Sequence, residues 1–224
     1  MQPLPLRPAL VDQVHQRLAD AIAAGELAPG TPLKQEELAE RLGVSRQPVS
    51  HALALLKQEG LLVEYGRRGL QVVPLEPGRL KAIYQVRAAL DRLAAGLAAD
   101  RAPFAANHLA DAGRALEAGR RAVAAVDATA LVAADVAFHQ AVIALAGNPV
   151  LEETAARQWP HVRRAMAAVL SDAGSRSRVW DEHAAILDAI AAGRADDARE
   201  RAEAHALRAA AETVDRLEQD TQVA

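Results

Sequence analysis

The sequence predicts a mostly α-helical protein in two parts, an N-terminal winged helix-turn-helix followed by a C-terminal antiparallel all-α helical bundle. Three observations carry this. Apolar residues recur at helical spacing through most of the 224 residues. Aromatic residues are only 3% of the chain while alanine abounds, a composition suited to close helix packing. Pro74-Leu75-Glu76-Pro77-Gly78 interrupts every periodic pattern, which sets the domains at 1–73 and 79–224 with 74–78 as the linker.

In the first part, Leu10, Val11, Val14, Leu18, Ala21 and Ile22 share a helical face, and Gly25 with Leu27-Ala28-Pro29-Gly30 stops that helix. A second helix runs from about Gln35 to Leu42, with Leu38, Ala39 and Leu42 inward and Gly43 able to take the left-handed conformation that closes it. Ser45 is placed to cap a third helix, whose first turn tolerates Pro48 because an N–H there has no helical partner to lose. Val49, Ala52, Leu53, Leu55 and Leu56 form its buried side, and Gly60 ends it. Leu61 to Tyr65 and Gly69 to Val73 read as a hairpin around Gly66-Arg67-Arg68. Beyond the linker the spacing gives six helices, near 79–101, 104–125, 128–146, 149–170, 176–192 and 195–218, with Pro160 expected to kink the fourth.

Composition narrows the function. A net charge of −3 excludes a strongly basic nucleic-acid coat, and residues 1–73 hold eight Lys/Arg against eight Asp/Glu, so DNA binding has to come from a local patch. With no cysteine there is no disulfide framework and no thiolate ligand, so any metal is held by imidazole and carboxylate. No run approaches eighteen apolar residues and no signal peptide is evident, which makes the cytoplasm the expected location and leaves no membrane partner.

Two constellations carry chemistry. In a helix-turn-helix the start of the second helix faces base edges, which singles out Ser45, Arg46, Gln47, Ser50 and His51, with Arg67 and Arg68 at the wing tip. Arg46 either donates a pair of hydrogen bonds to guanine O6 and N7 or neutralises a phosphate. In the second part, Asp135 and His139 stand four apart on one helix and therefore share a face, with His183 and His205 on two further helices. Three imidazole nitrogens and one carboxylate oxygen suit Zn²⁺, with Ni²⁺, Co²⁺, Fe²⁺ or Mn²⁺ as alternatives. On spacing alone an Asp and a His four apart, as Asp135 and His139 are, more often form a surface pair or a capped polar contact than a metal site.

Residues 10–73 resemble the DNA-binding domain of the GntR family of bacterial transcription regulators. The resemblance lies in Gly25-Glu26-Leu27-Ala28-Pro29-Gly30, Leu42-Gly43-Val44-Ser45-Arg46-Gln47-Pro48-Val49, Ala52-Leu53, Glu59-Gly60-Leu61 and Gly66 with Gly69. The family usually carries arginine where this chain has Glu36 and Ser50. Residues 79–218 are similar to the ligand-sensing helical domain of its FadR subgroup, through Asp135-x-x-Phe138-His139, Gly147-Asn148, Glu182-His183 and His205. That resemblance implies a metal held by Asp135, His139, His183 and His205, a small carboxylate effector bound beside it, and a homodimer on palindromic operator DNA. Six helices would place the chain nearer the subgroup's smaller, vanillate-regulator-like branch. Arg87 matches an arginine that faces the cavity in the subgroup, and alternatively is an exposed residue paired with Asp91 one turn on. Phe138 and Trp180 are expected as core or cavity wall, and Asn148 as a helix cap.

The resulting expectation is a repressor whose operator affinity is controlled by an organic acid. Two rivals remain. A metal-dependent enzyme with an appended DNA-binding domain would need an open metal position and a general base, and neither His-Glu-x-x-His nor paired Glu-x-x-His motifs occur. A bundle that only dimerises would respond to neither metal nor acid.

Overall fold

The structure is a computed structural model that describes residues 10–66, 69–104, 106–169 and 173–223. The chain divides into two compact units between Leu75 and Glu76.

The N-terminal unit begins with α1 (Leu10–Ala23), which turns Val14, Leu18 and Ile22 inward while Leu10 at its start stays half exposed. A two-residue strand, β1 (Pro32–Leu33), leads into α2 (Gln35–Leu42). Gly43 closes α2 at φ 65°, and the Val44 N–H reaches the Ala39 carbonyl at 3.0 Å, satisfying a helix-end acceptor. Then α3 (Arg46–Gln58) buries Pro48, Val49, Ala52, Leu53 and Leu56. Leu55, expected inside, is 38% exposed, because it lies on the far side of the helix from Leu53 and Leu56. Ser45 occupies the cap position with extended backbone, yet its side chain makes no capping bond.

The wing is β2 (Leu62–Tyr65) and β3 (Gly69–Val72), paired antiparallel from Leu62↔Val72 to Tyr65↔Gly69. Its tip residues Arg67 and Arg68 lie outside the described residues. The sheet has a third strand that sequence reading did not find: β1 pairs with β3 at Pro32↔Gln71 and Leu33↔Leu70, giving the order β1-β3-β2. Two residues are too few to show alternation, and Pro32 is tolerated because β1 is an edge.

The C-terminal unit is helical: α4 (Pro77–Arg101), a 3₁₀ turn (Ala102–Phe104), α5 (Ala106–Ala125), α6 (Ala128–Ala146), α7 (Pro149–Ala156), α8 (Trp159–Val169), α9 (Ala173–Ala191) and α10 (Ala195–Val223). Among the described residues these are seven α-helices, so the six-helix reading is corrected and the branch assignment that rested on it loses its basis. The reason is Pro160. A proline inside a continuous helix would remove a hydrogen bond and collide with the preceding turn, so the chain breaks at Arg157-Gln158 and Pro160 becomes the second residue of α8. Asp127 caps α6 by accepting from the Ala130 N–H, and Asn148 caps α7 by accepting from Val150 and Leu151.

Alanine lets the helices approach closely. Ala94, Ala95, Ala98 and Ala99 of α4 meet Phe138 and Val142 of α6, Ile186 and Ile190 of α9, and Ala198 and Ala202 of α10 in one core. Helix α6 is long and apolar enough by composition to cross a membrane, a property that counting uninterrupted apolar runs missed. In the fold it packs against α4, α5 and α8 and buries Asp135 and His139 among Leu131, Phe138 and Val142, as a core helix does. That placement positions the site.

Candidate functional site

Three buried imidazoles converge inside the helical unit: His139 from α6, His183 from α9 and His205 from α10, with ligand-capable atoms all within 4.8 Å of one another. The contact between His183 Nε2 and His205 Nε2 is 3.2 Å. Asp135, one turn before His139, brings its carboxylate to 3.4 Å from His183 Nε2 and 3.9 Å from His139 Nε2. The three histidines form the group able to share one ion, and Asp135, also buried, is seated beside two of them.

A divalent cation fits this set. His139 Nε2 is buried with no hydrogen-bond partner among the described residues, which is unfavourable for an imidazole unless something else satisfies it. Two nitrogens sharing one tetrahedral ion at bonds of about 2.0–2.1 Å stand about 3.3 Å apart, close to the spacing found between His183 and His205. Protonation is suppressed as well. Burial, followed by the charge of Arg87 and the neighbouring histidines, pushes His139 well below the usual imidazole range, and burial with His205 and Arg87 does the same to His183. Neutral imidazole is the form that binds metal.

The rings are held in place. His205 Nδ1 lies 2.7 Å from Glu182 Oε2, a contact that fixes the ring with Nε2 directed at the cluster. Burial raises the pKa of Glu182, but hydrogen bonds from His205 and Arg208 overcome it and hold the carboxyl at about 2. Arg178 and Arg208 grip the same carboxylate through Oε1, at 3.2 and 2.8 Å. Phe138 stacks on His183 with ring centres 4.3 Å apart, and the buried Trp180 meets it in a T-shaped contact at 4.9 Å, so both pack against the imidazole as core.

Arg87 of α4 points into the same region. Its pairing with Asp91 forms at 3.1 Å, yet the pair is buried rather than exposed: the side chains are 6% and 8% accessible. Burial opposes the Arg87 cation, while Asp91, Tyr84 and Asp135 together raise its pKa further, so it remains charged. Burial pushes the carboxyls of Asp91 and Asp135 up despite Arg87. Arg87 Nη2 has no hydrogen-bond partner among the described residues, and its guanidinium stands over the rings of Tyr84 and Trp159 at 5.4 and 5.5 Å. A cavity of about 20 Å³ is lined by Tyr84, Arg87, Asp135, Met166, Val179, His205 and Ala209. That is room for roughly one water-sized group.

In the N-terminal unit, Arg46 and Gln47 open α3 with exposed side chains, His51 is exposed one turn on, and Ser50 is half-buried. The Arg46 guanidinium is not free: Nη1 donates to Glu36 Oε1 at 2.8 Å. Two open grooves of about 450 and 330 Å³ flank Leu70 and Gln35, the first lined by Glu36 and Arg46 and the second by Ser50, Lys57 and Glu64.

Comparison with known proteins agrees with both halves. The FCD domain matches residues 82–219, and the bacterial regulatory proteins of the gntR family match residues 10–72. The chain belongs to the GntR family. It is a transcriptional regulator and not an enzyme. Among relatives, an HTH-type transcriptional regulator in an unstable DNA locus of Streptomyces ambofaciens is 31% identical over 91% of this chain and 84% of its own length. The HTH-type transcriptional repressor NanR of an Enterobacter is 27% identical over 89% of this chain and 83% of its own. Among solved structures, a GntR transcriptional regulator from Rhodococcus superposes with a TM-score of 0.80 at 23% identity, over 93% of this chain and 99% of that one, which shows a shared fold.

Within this GntR chain three site residues escaped the sequence reading in their actual roles. Asp91 was legible as a partner of Arg87 but not as buried, since nothing in the spacing tells which face of α4 meets α6. Glu182 supports His205 from another helix, a relation no local pattern carries. Glu36 meets Arg46 across the turn, ten residues apart.

Proposed function

We propose that this GntR regulator is a repressor that reads operator DNA with Ser45, Arg46, Gln47, Ser50 and His51, with Arg67 and Arg68 on the wing. It releases that DNA when a small carboxylic acid enters a metal-containing cavity in the helical unit. Asp135, His139, His183 and His205 hold the cation, Zn²⁺ being the best match to three nitrogens and one oxygen. The cation, when bound, supplies positive charge that attracts the acid. Arg87 provides paired donors for the carboxylate, and its Nη2 is already buried without a partner. The protein works as a homodimer on a palindromic operator in the cytoplasm.

One observation carries this reading: three buried imidazoles meet beside an under-satisfied buried arginine, and His205, Asp135 and Arg87 line one cavity. Its small volume limits the effector to a compact acid and requires Arg87 to exchange Asp91 for the incoming carboxylate. Because acid and operator bias one equilibrium, operator DNA must weaken acid binding by the factor by which acid weakens operator binding. NanR is named a repressor, which favours repression over activation.

The test is a thermal-shift screen of small mono-, di- and tricarboxylates against zinc-loaded protein, repeated with a chelator and followed by gel shifts with operator DNA. A ligand that binds the native state raises its melting temperature. The reading expects a compact acid whose shift disappears on chelation and in Arg87→Met, and which releases DNA. An acid that stabilises chelated and zinc-loaded protein equally would remove the metal from the account.

A further inference from the structure

Helix α3 carries two permanently charged cations, Arg46 near its start and Lys57 near its end. An α-helix turns by about 100° per residue, so eleven residues bring Lys57 to within roughly 20° of Arg46, and both stand along one edge. Each is tied to a carboxylate from a different neighbouring element. Arg46 Nη1 donates to Glu36 Oε1 of α2 at 2.8 Å, and Lys57 Nζ donates to Glu64 Oε1 of β2 at 2.6 Å. The middle of the exposed face, about 80–140° further round, holds Gln47, His51 and Ala54, none of them permanently charged.

These pairs are poor candidates for stabilising the fold. All four side chains are between 45% and 75% exposed, and such pairs contribute at most about 1 kcal/mol. Their larger effect is on DNA. A free arginine or lysine at this edge would neutralise a phosphate and release its counterions whatever the sequence. With Nη1 held by Glu36, the opposite edge of the Arg46 guanidinium, Nε and Nη2, stays open for a paired contact with guanine.

We propose that Glu36 and Glu64 are specificity-determining residues that hold the two cations of α3 off the DNA backbone, so that duplex is retained by base-edge contacts rather than by generic phosphate attraction. This rests on the operator-binding reading given above.

The test compares full-length wild type with Glu36→Gln/Glu64→Gln, binding random-sequence duplex by fluorescence anisotropy from 50 to 200 mM salt, alongside selection of preferred sequences from a random duplex pool. Each additional phosphate contact adds about 0.9 to the slope of log affinity against log salt. The variant should bind random duplex more tightly, with a slope steeper by about 1–2, so that its advantage shrinks by up to about tenfold across that salt range. It should enrich the same sequence with a smaller ratio of selected to random affinity. Glu37→Gln/Glu40→Gln makes the same change in total net charge, both substitutions lying on α2, without freeing the cations of α3, Glu37 being paired with Lys34, and should move the slope less. An unchanged slope, an equal change in this control, or an equal gain on selected and random duplex overturns the proposal. A wild type that enriches no sequence sinks the operator reading instead, and the slope on random duplex still tests the clamp.

Discussion

Replacing Asp91 with asparagine removes the carboxylate that neutralises Arg87 inside the helical unit while preserving its shape. Both side chains are almost fully buried and joined at 3.1 Å, so this is not a screened surface pair. Breaking a buried pair by deleting one partner typically costs about 3–5 kcal/mol, because the remaining charge is left uncompensated. Here the lower end applies, since the asparagine carbonyl still accepts one hydrogen bond and Asp135 also favours the Arg87 charge. A loss of about 3 kcal/mol corresponds to roughly 6–12 °C in Tm at 2–4 °C per kcal/mol. Scanning calorimetry on chelator-treated protein reads this directly in the C-terminal unit. The double variant Asp91→Leu/Arg87→Met should recover most of the loss, because no charge is left stranded. A loss below about 1 kcal/mol for Asp91→Asn, the size expected of an exposed pair, would refute the burial argument and with it the exchange of Asp91 for an effector carboxylate.

Other outcomes follow from single residues. Val126, between α5 and α6, is 66% exposed and held at φ 55°, where an L side chain costs about 1–2 kcal/mol. Val126→Gly should relieve that strain, less about 0.4–1 kcal/mol of added freedom in the unfolded chain, and raise Tm by a few degrees; an unchanged or lower Tm contradicts it. Glu182 is held at about 2, below its ordinary 4.5, so it contributes stability above pH 4.5 that is lost as pH falls towards 2. Asp91 and Asp135, whose carboxyls are raised, act in the opposite sense, but the difference between wild type and Glu182→Gln cancels them. In chelator, the Tm gap between the two proteins should narrow through that window, and a gap independent of pH would deny Glu182 its role.

Sequence periodicity made the larger helices legible because one face of each is buried against the core, as with Val14, Leu18 and Ile22 of α1. Local stereochemistry made Gly43 and Asn148 legible, since their turn and cap involve only the next few residues. The four metal-binding candidates were legible as types at spacings, but their convergence was not: His183 and His205 reach His139 through the packing of α9 and α10, and spacing alone favoured a surface contact. Pro160 was visible, though whether it bends or breaks a helix depends on what the neighbouring chain can accommodate. The strand β1 and the contacts of Glu36, Glu64 and Glu182 depend on pairings between elements, which a linear pattern does not encode.

The most direct test of the account is the metal content of protein purified without chelator, followed by zinc titration into metal-stripped protein. About one ion per chain is expected, with at least tenfold weaker binding when His139, His183 or His205 is singly replaced by alanine and no change in His51→Ala. Protein that takes up no zinc, or single histidine variants that bind it as tightly as the wild type, would contradict the claim that this cluster is a metal centre.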